Sequence, residues 1–248
     1  MDIMLLSRIV SLLTLSLLPL VCHADLRLIT QDKPPFNYLD TSTGQVIGLS
    51  IDILRDASSR AKVAVSNIGL YPMVRSVDMA RKQADTCVFP MIRTKERENL
   101  FKWVGPYTRN VWVFYARDDF KTPISSLEEA KKFRVGSDIH SAKTSYLASM
   151  GFNAMDLLPE DAANAKRLAA GRFDLWLVGL YEGKVFADVN HIKNIRPVFE
   201  VKTVDYYLAC NLSVPTGSIA ALNDALKNMK VDGSMQRMID SNHFLVKK

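Results

Sequence analysis

The sequence has few of the residues that hold metals or carry nucleophilic catalysis. Its 248 residues include three cysteines and four histidines, and no two histidines lie at a spacing typical of a zinc site. It contains no Gly-rich phosphate-binding loop, serine-nucleophile motif or metal-binding helix motif. We therefore expect a protein without a metal or other cofactor.

The sequence also lacks long blocks of one charge. Its 32 Lys and Arg residues and 26 Asp and Glu residues give a net charge of +6, and no run of five or more like charges occurs. A mild positive charge spread along the chain favours small anionic partners and gives no indication of nucleic-acid binding. With 48% hydrophobic residues, the chain can bury one large core or two small ones.

The N-terminus is the one strongly apolar segment. Residues Met1–Ala24 combine Arg8, an apolar run from Ile9 to Val21 and a small residue at Ala24, which is the pattern of a secretory signal peptide with cleavage after Ala24. A run of about 13 residues is too short to cross a bilayer as a helix, although a retained anchor is the alternative. We therefore predict a soluble protein exported to the periplasm.

Two cysteines remain after cleavage of the predicted signal peptide. Cys87 and Cys210 lie in apolar, strand-like segments far apart in the sequence. An even pair in an oxidising compartment predicts a disulfide. The alternative is that both are unpaired, buried small hydrophobic residues.

Strand-like and helix-like segments alternate along the mature chain, which indicates an α/β fold. Helices are expected over 50–61, 72–83, 126–132, 141–150, 161–170, 181–189, 219–229 and 234–239. Strands are expected at 26–30, 63–68, 84–90, 133–136, 173–179 and in two longer segments, 103–117 and 204–215. Trp103 and Trp176 fall in such strands and are expected to be buried. The block between residues 125 and 189 looks inserted between an early and a late segment.

Four segments, in order, resemble the periplasmic solute-binding proteins of the polar amino-acid type, family 3. They are PPFNYLDTSTGQVIGLSIDIL, ADTCVFPMIRTKEREN followed by FKWVGPY, FRVGSDIHSAKTSYL, and GRFDLWLVG. The resemblance implies two α/β lobes of the type II periplasmic-binding-protein fold, joined by two crossing hinge strands, which close on a ligand. On this basis the signal peptide is 1–24, lobe one is 25–110 and 201–248, and lobe two is 111–200 with the hinge strands.

The resemblance also implies which residues contact the ligand. Arg97 matches the family arginine that holds a ligand carboxylate, a role that suits the planar guanidinium; the alternative is a solvated charge paired with Glu96 or Glu98. Thr94 could contribute a donor from the same segment. Four further candidates lie near the first loops of lobe one: Phe36, Tyr38, Tyr71 and Arg75. Two more, His140 and Ser141, lie at the start of a lobe-two helix, whose free N–H groups suit an anion. For Phe36 a place in the lobe core is the alternative.

Three positions depart from the family pattern. Pro90 and Ile92 stand where amino-acid binders carry Gly and Thr, and Gly179 stands where they carry an aspartate for the ligand ammonium. An ammonium buried without a carboxylate is costly, so Glu182 or Asp138 would have to substitute. We therefore expect a small polar, anionic solute, either an amino acid or a related organic acid.

The resemblance implies that a monomeric receptor delivers this solute to the membrane permease of an ABC importer. Two alternatives remain open. One is a cleft enzyme of the dehydratase type, for which Glu98, Glu182 and His140 are the candidate acid–base groups. The other is a free-standing periplasmic sensory module. The chain is expected not to be an enzyme.

Overall fold

The structure is a computed structural model that describes residues 25–66, 68–139, 141–159 and 161–242. The predicted signal peptide, Met1–Ala24, and the candidate His140 lie outside these residues. Within them, no helix is both long and apolar enough to cross a membrane.

Ten strands and eight α-helices are described in these ranges, and most helices lie within two or three residues of their predicted positions. The strands are β1 (Arg27–Thr30), β2 (Tyr38–Asp40), β3 (Gln45–Ile47), β4 (Gly69–Leu70), β5 (Thr86–Met91), β6 (Lys102–Arg117), β7 (Val135–Asp138), β8 (Met155–Leu158), β9 (Leu175–Gly179) and β10 (Ile195–Cys210). The helices are α1 (Leu49–Ala61), α2 (Met73–Lys82), α3 (Leu127–Ala130), α4 (Ala142–Ser149), α5 (Asn164–Ala169), α6 (Leu180–Val189), α7 (Thr216–Val231) and α8 (Ser234–Ser241).

Eight of these strands form one mixed sheet in the order β4-β1-β5-β10-β6-β9-β7-β8. The two longest strands, β6 and β10, pair antiparallel at its centre, from Lys102 opposite Cys210 to Arg117 opposite Ile195. Lobe one carries β4, β1 and β5 on one side of this pair, and lobe two carries β9, β7 and β8 on the other. The predicted boundaries at residues 110 and 200 fall inside β6 and β10.

Burial explains why the sequence folds into these elements. Strand β5 is buried on both faces, because its side chains alternate between two hydrophobic clusters on opposite sides of the mixed sheet. Helix α1 buries Ile51, Leu54 and Ala57, the apolar positions that predict it. Trp103 and Trp176 are buried, as predicted.

The predicted disulfide between Cys87 and Cys210 is present. It joins β5 to β10 inside lobe one, where the two residues are direct partners in the antiparallel ladder. It therefore fixes the end of a hinge strand to the centre of lobe one.

Three strand assignments differ from the prediction. The strand predicted at 204–215 is β10, which begins earlier, at Ile195, and ends at Cys210. Within the segment predicted as a strand at 63–68, the described residues 63–66 and 68 form one bridge, from Val65 to Leu26, and the parallel partner of β1 is the later β4. Strand β8 was not predicted. Its sequence, MDLL, is too short and too exposed to produce an apolar alternation.

Candidate functional site

Two cavities lie between the lobes. The first, here called the Arg97 cavity, encloses about 780 Å³ between the loop after β5, the hinge strands and helix α4. The second, here called the acidic cavity, encloses about 550 Å³ between the loops after β1 and β4 in lobe one and the loops after β7 and β8 with α6 in lobe two. The two cavities have no lining residue in common.

Arg97 lies at the start of a short 3₁₀ helix over Glu98–Leu100 and lines the first cavity. Its Nη1 atom donates to the carbonyl of Ile92 at 3.4 Å. Within the described ranges, no carboxylate lies at ion-pair distance from its guanidinium. Burial lowers the pKa of Arg97, with Glu96 opposing the shift. The guanidinium is therefore half-buried and forms no ion pair with a described carboxylate, although Glu96 attracts it from a greater distance.

Arg93, four residues earlier, is in the opposite situation. Its Nε donates to Glu98 at 2.7 Å, and its Nη2 bonds the other carboxylate oxygen. Its guanidinium also faces the rings of Trp103 and Tyr207, at 5.7 and 5.9 Å. The hydrogen bond from Arg93 to Glu98 raises the pKa of Arg93. Of the two arginines, Arg97 is therefore the one whose charge is available to a ligand.

The other candidates in lobe one are distributed over several environments. Thr94 lines the Arg97 cavity, and its hydroxyl contributes to lowering the pKa of the nearby Glu96. Tyr71 lines the acidic cavity, and its ring lies 4.9 Å from the guanidinium of Arg75. Arg75 itself is exposed and lines neither cavity.

The first-loop aromatics lie away from both cavities. Phe36 is fully buried and packs edge-on against Tyr206 at 5.1 Å. Tyr38 pairs with Ile47 in the β2–β3 hairpin. In this structure Phe36 is therefore part of the core, which was the alternative open for it.

Ser141 is the N-cap of α4. Its hydroxyl accepts a hydrogen bond from the backbone N–H of Thr144 at 3.2 Å and donates to the Thr144 hydroxyl at 3.0 Å. The side chain thus satisfies one of the free N–H groups of this helix. Ala142 and Ser145 of the same helix line the Arg97 cavity, so the first turns of α4 lie across the cavity from the loop that carries Arg97.

Glu182 is the central charge of the acidic cavity. Its carboxylate accepts from Asn110 Nδ2 at 2.9 and 2.8 Å and pairs with Lys33 Nζ at 2.7 Å. A Cβ atom built on Gly179 would lie 2.0 Å from Glu182 Oε2. The Glu182 carboxylate therefore occupies the space that a side chain at 179 would fill.

A second group of charges lies beside it in lobe two. Lys143 Nζ bonds Asp138 and, at 2.6 Å, Asp161. Asp161 also accepts from Trp176 Nε1 at 3.1 Å. Burial raises the pKa of Asp161 despite Lys143, whereas for Asp138 the attraction of Lys143 overcomes burial and lowers the pKa.

Three residues of the site were not predicted from the sequence: Lys33, Lys143 and Asp161. Lys33 directly precedes the PPF segment, and Asp161 begins a predicted helix, so each falls at the loop edge that lines such a cleft. What the sequence does not reveal is their pairing, because Lys33 and Glu182 are 149 positions apart.

The family model for bacterial extracellular solute-binding proteins, family 3, matches residues 26–244. The chain belongs to this family. A curated relative, the probable ABC transporter extracellular-binding protein YckB of Bacillus subtilis (strain 168), is 26% identical over 155 residues, which are 59% of this chain and 52% of the relative. The match thus spans about half the length of that relative.

Three solved structures share the fold of this solute-binding protein. A histidine kinase sensor domain similar to periplasmic binding proteins matches with a TM-score of 0.77 and 20% identity, over 87% of this chain and 94% of that one. An ancestral arginine-binding protein bound to arginine matches at 0.75 and 20%, over 89% and 99%. An ancestral amino-acid-binding protein that is a precursor of cyclohexadienyl dehydratase matches at 0.74 and 18%, over 87% and 93%.

Proposed function

We propose that this solute-binding protein is an exported, periplasmic, monomeric receptor that captures a small polar solute with a carboxylate group and delivers it to the membrane permease of an ABC importer. The observation that carries the proposal is Arg97, a half-buried guanidinium without a carboxylate partner, in a cavity with walls from both lobes. The family and the name of the curated relative support the class of function.

The chemistry of Arg97 favours an anionic group. Removing a cation from water without an anion is unfavourable, so a carboxylate that reaches Arg97 gains a charge-assisted and potentially bidentate pair. The wall opposite Arg97 includes α4 residues of lobe two, so the same ligand would contact both lobes. A ligand favours closure by the contacts it gains from the second lobe.

The amino-acid class is supported by Glu182. This carboxylate fills the space beside Gly179, where the family resemblance places an aspartate for the ligand ammonium. An amino acid would then have Arg97 for its carboxylate, and Glu182 for a cationic group that reaches the acidic cavity. A related organic acid would use Arg97 alone.

The charges of the acidic cavity favour binding over catalysis. Asp138 accepts a hydrogen bond from Lys143, and the attraction of Lys143 lowers its pKa, which stabilises this carboxylate rather than preparing it to transfer a proton. Glu182 is held by Lys33 and Asn110. A receptor returns its ligand unchanged, so mass spectrometry of each bound compound after prolonged incubation separates this function from the dehydratase alternative.

The test is calorimetric titration of L-amino acids and dicarboxylates into the wild type, Arg97→Ala and Arg97→Lys. Arg81→Ala is the matched control, because Arg81 is exposed in the last turn of α2. We expect Arg97→Ala to lose about 2–4 kcal/mol of affinity, roughly 30- to 1,000-fold, as when a buried charge pair is truncated. Arg97→Lys keeps part of the affinity and the control keeps all of it. Equal affinity of Arg97→Ala and the wild type would refute the role of Arg97.

A further inference from the structure

One ion pair joins the two lobes directly. Lys33 lies in the loop after β1 of lobe one and Glu182 in the first turn of α6 of lobe two, with Nζ and Oε1 2.7 Å apart. The side chains are 22% and 3% exposed. Among the ion pairs of the described residues, every other one lies within a lobe or along the hinge strands.

The lobe-two partner is held firmly. Asn110 on β6 donates to both carboxylate oxygens of Glu182, and its Nδ2 also lies 2.8 Å from the hydroxyl of Tyr206. Gly179 leaves room for this position, since any side chain there would displace the carboxylate. Glu182 therefore presents a fixed negative charge to whatever cation faces it from lobe one.

The backbone of Lys33, the lobe-one partner, is held by hydrogen bonds within its loop. Lys33 N–H donates to the carbonyl of Asn37 at 2.6 Å, and its carbonyl accepts from Phe36 and Asn37. The side chain alone can therefore move away from Glu182 while its loop stays in place. An ammonium on a flexible stem is a suitable group for exchange with a competing cation.

We propose that Lys33 is a specificity-determining interlobe latch, whose ammonium occupies the cation position at Glu182 and must be displaced by a ligand that carries a cationic group. A purely anionic ligand binds at Arg97 while the Lys33–Glu182 pair is intact, and its affinity is higher because this pair favours the closed state. The ligand half of this inference rests on the proposed function, whereas the latch itself does not.

The charges around the pair are consistent with a protonated Lys33. Burial would lower the pKa of Lys33, but the attraction of Glu182, with smaller contributions from Asp138 and Asp161, outweighs burial and raises it. A ligand cation must therefore compete with a charged internal group. A displaceable internal competitor reduces the apparent affinity in proportion to the fraction of molecules in which the cation position is free.

The latch is tested first without ligand, by the small-angle scattering radius of gyration of the purified exported protein. The variants are Lys33→Met, Glu182→Gln, which keeps one acceptor oxygen for Asn110, and the double variant. Lys184→Met is the control, since Lys184 is exposed on the same helix as Glu182. We expect both single variants to expand, the double variant to expand no further, and the control to match the wild type. A radius of gyration of Lys33→Met equal to that of the wild type would overturn the latch.

The competition is tested with L-arginine and succinate as probes. For Lys33→Met we expect about tenfold tighter binding of L-arginine, because the competitor is gone, and weaker binding of succinate, because the latch no longer supports closure. Changes of the same sign for both probes would overturn the competition. Arg97→Ala weakens both probes if the proposed function holds. If neither probe binds the wild type, the proposed function fails for these classes, and scattering still decides the latch.

Discussion

The two cavities of the cleft differ in whether their buried charges are paired. In the acidic cavity, Glu182, Asp138 and Asp161 are matched to Lys33, Lys143 and amide donors. In the Arg97 cavity, a half-buried guanidinium has one long hydrogen bond to a backbone carbonyl. The charges of the acidic cavity are paired with one another, whereas Arg97 forms no ion pair with any described residue.

This difference indicates where binding energy is available. A satisfied buried network is costly to disturb, since removing one partner leaves an uncompensated charge. An unpaired cation can form a complete ion pair with a ligand, because folding has already removed much of its hydration. We therefore expect mutations in the acidic cavity to change stability first and mutations in the Arg97 cavity to change affinity first.

Lys143→Met should have the largest effect on stability. The Lys143 side chain is 6% exposed and serves both Asp138 and Asp161, so the variant removes the ammonium that both carboxylates bond. Loss of one member of a buried ion pair costs about 3–5 kcal/mol, and we expect a decrease of that size in the free energy of unfolding measured with urea.

Lys82→Met is the matched control for Lys143→Met. Lys82 pairs with Asp78 one turn away on α2, and both side chains are largely exposed. Such pairs contribute at most about 0.5 kcal/mol. If the two variants were equally stable, the acidic cavity would not be a structural network, and the comparison between the cavities would fail.

Gly179→Ala should have an intermediate effect. The added Cβ would meet Glu182 Oε2 at 2.0 Å and Asn110 Nδ2 at 2.5 Å, so the Glu182 carboxylate must move and lose its hydrogen bonds. We expect a loss of about 1–3 kcal/mol, as for other buried polar groups deprived of partners, again by urea unfolding.

Gly217→Ala provides the reference for that substitution. Gly217 lies in α7, with no atom within 4 Å of an added Cβ. Alanine is the better helix former by up to about 1 kcal/mol, so this variant should match or exceed the wild type. Equal stabilities for the alanine variants at 179 and 217 would show that Glu182 does not depend on the space beside Gly179.

Much of the fold could be predicted from the sequence, because helix periodicity and buried strands are local patterns. The helix of Ile51, Leu54 and Ala57 and the paired cysteines are examples. Strand β8 was not predicted, and the strand predicted at 63–68 was wrong. Short strands are decided by their neighbours in the sheet rather than by their own residues.

The site was less predictable for a similar reason. Arg97 could be singled out, since it belongs to a local motif that resembles the family. The pairing of Lys33 with Glu182 could not, because it depends on closure of two lobes. Gly179 signalled an absent carboxylate, but the structure was needed to place Glu182 in that space.

The smallest expected effect concerns Arg93, which lines the Arg97 cavity and pairs with Glu98. The hydrogen bonds from Arg93 lower the pKa of Glu98 below its ordinary value of 4.5. A carboxyl group whose pKa is lowered by folding stabilises the protein above its unfolded pKa and loses that contribution as the pH falls through the lowered value. The pair is solvent-exposed, so its effect on stability is small.

An NMR titration of the side-chain carboxyls measures this shift directly. We expect the Glu98 midpoint to lie below 4.5 in the wild type and to return towards 4.5 in Arg93→Ala, whereas Arg97→Ala leaves it in place. A Glu98 midpoint that moves in Arg97→Ala would mean that Glu98 neutralises Arg97 as well. The Arg97 cavity would then be internally satisfied, like the acidic one, and the distinction on which the ligand assignment rests would be lost.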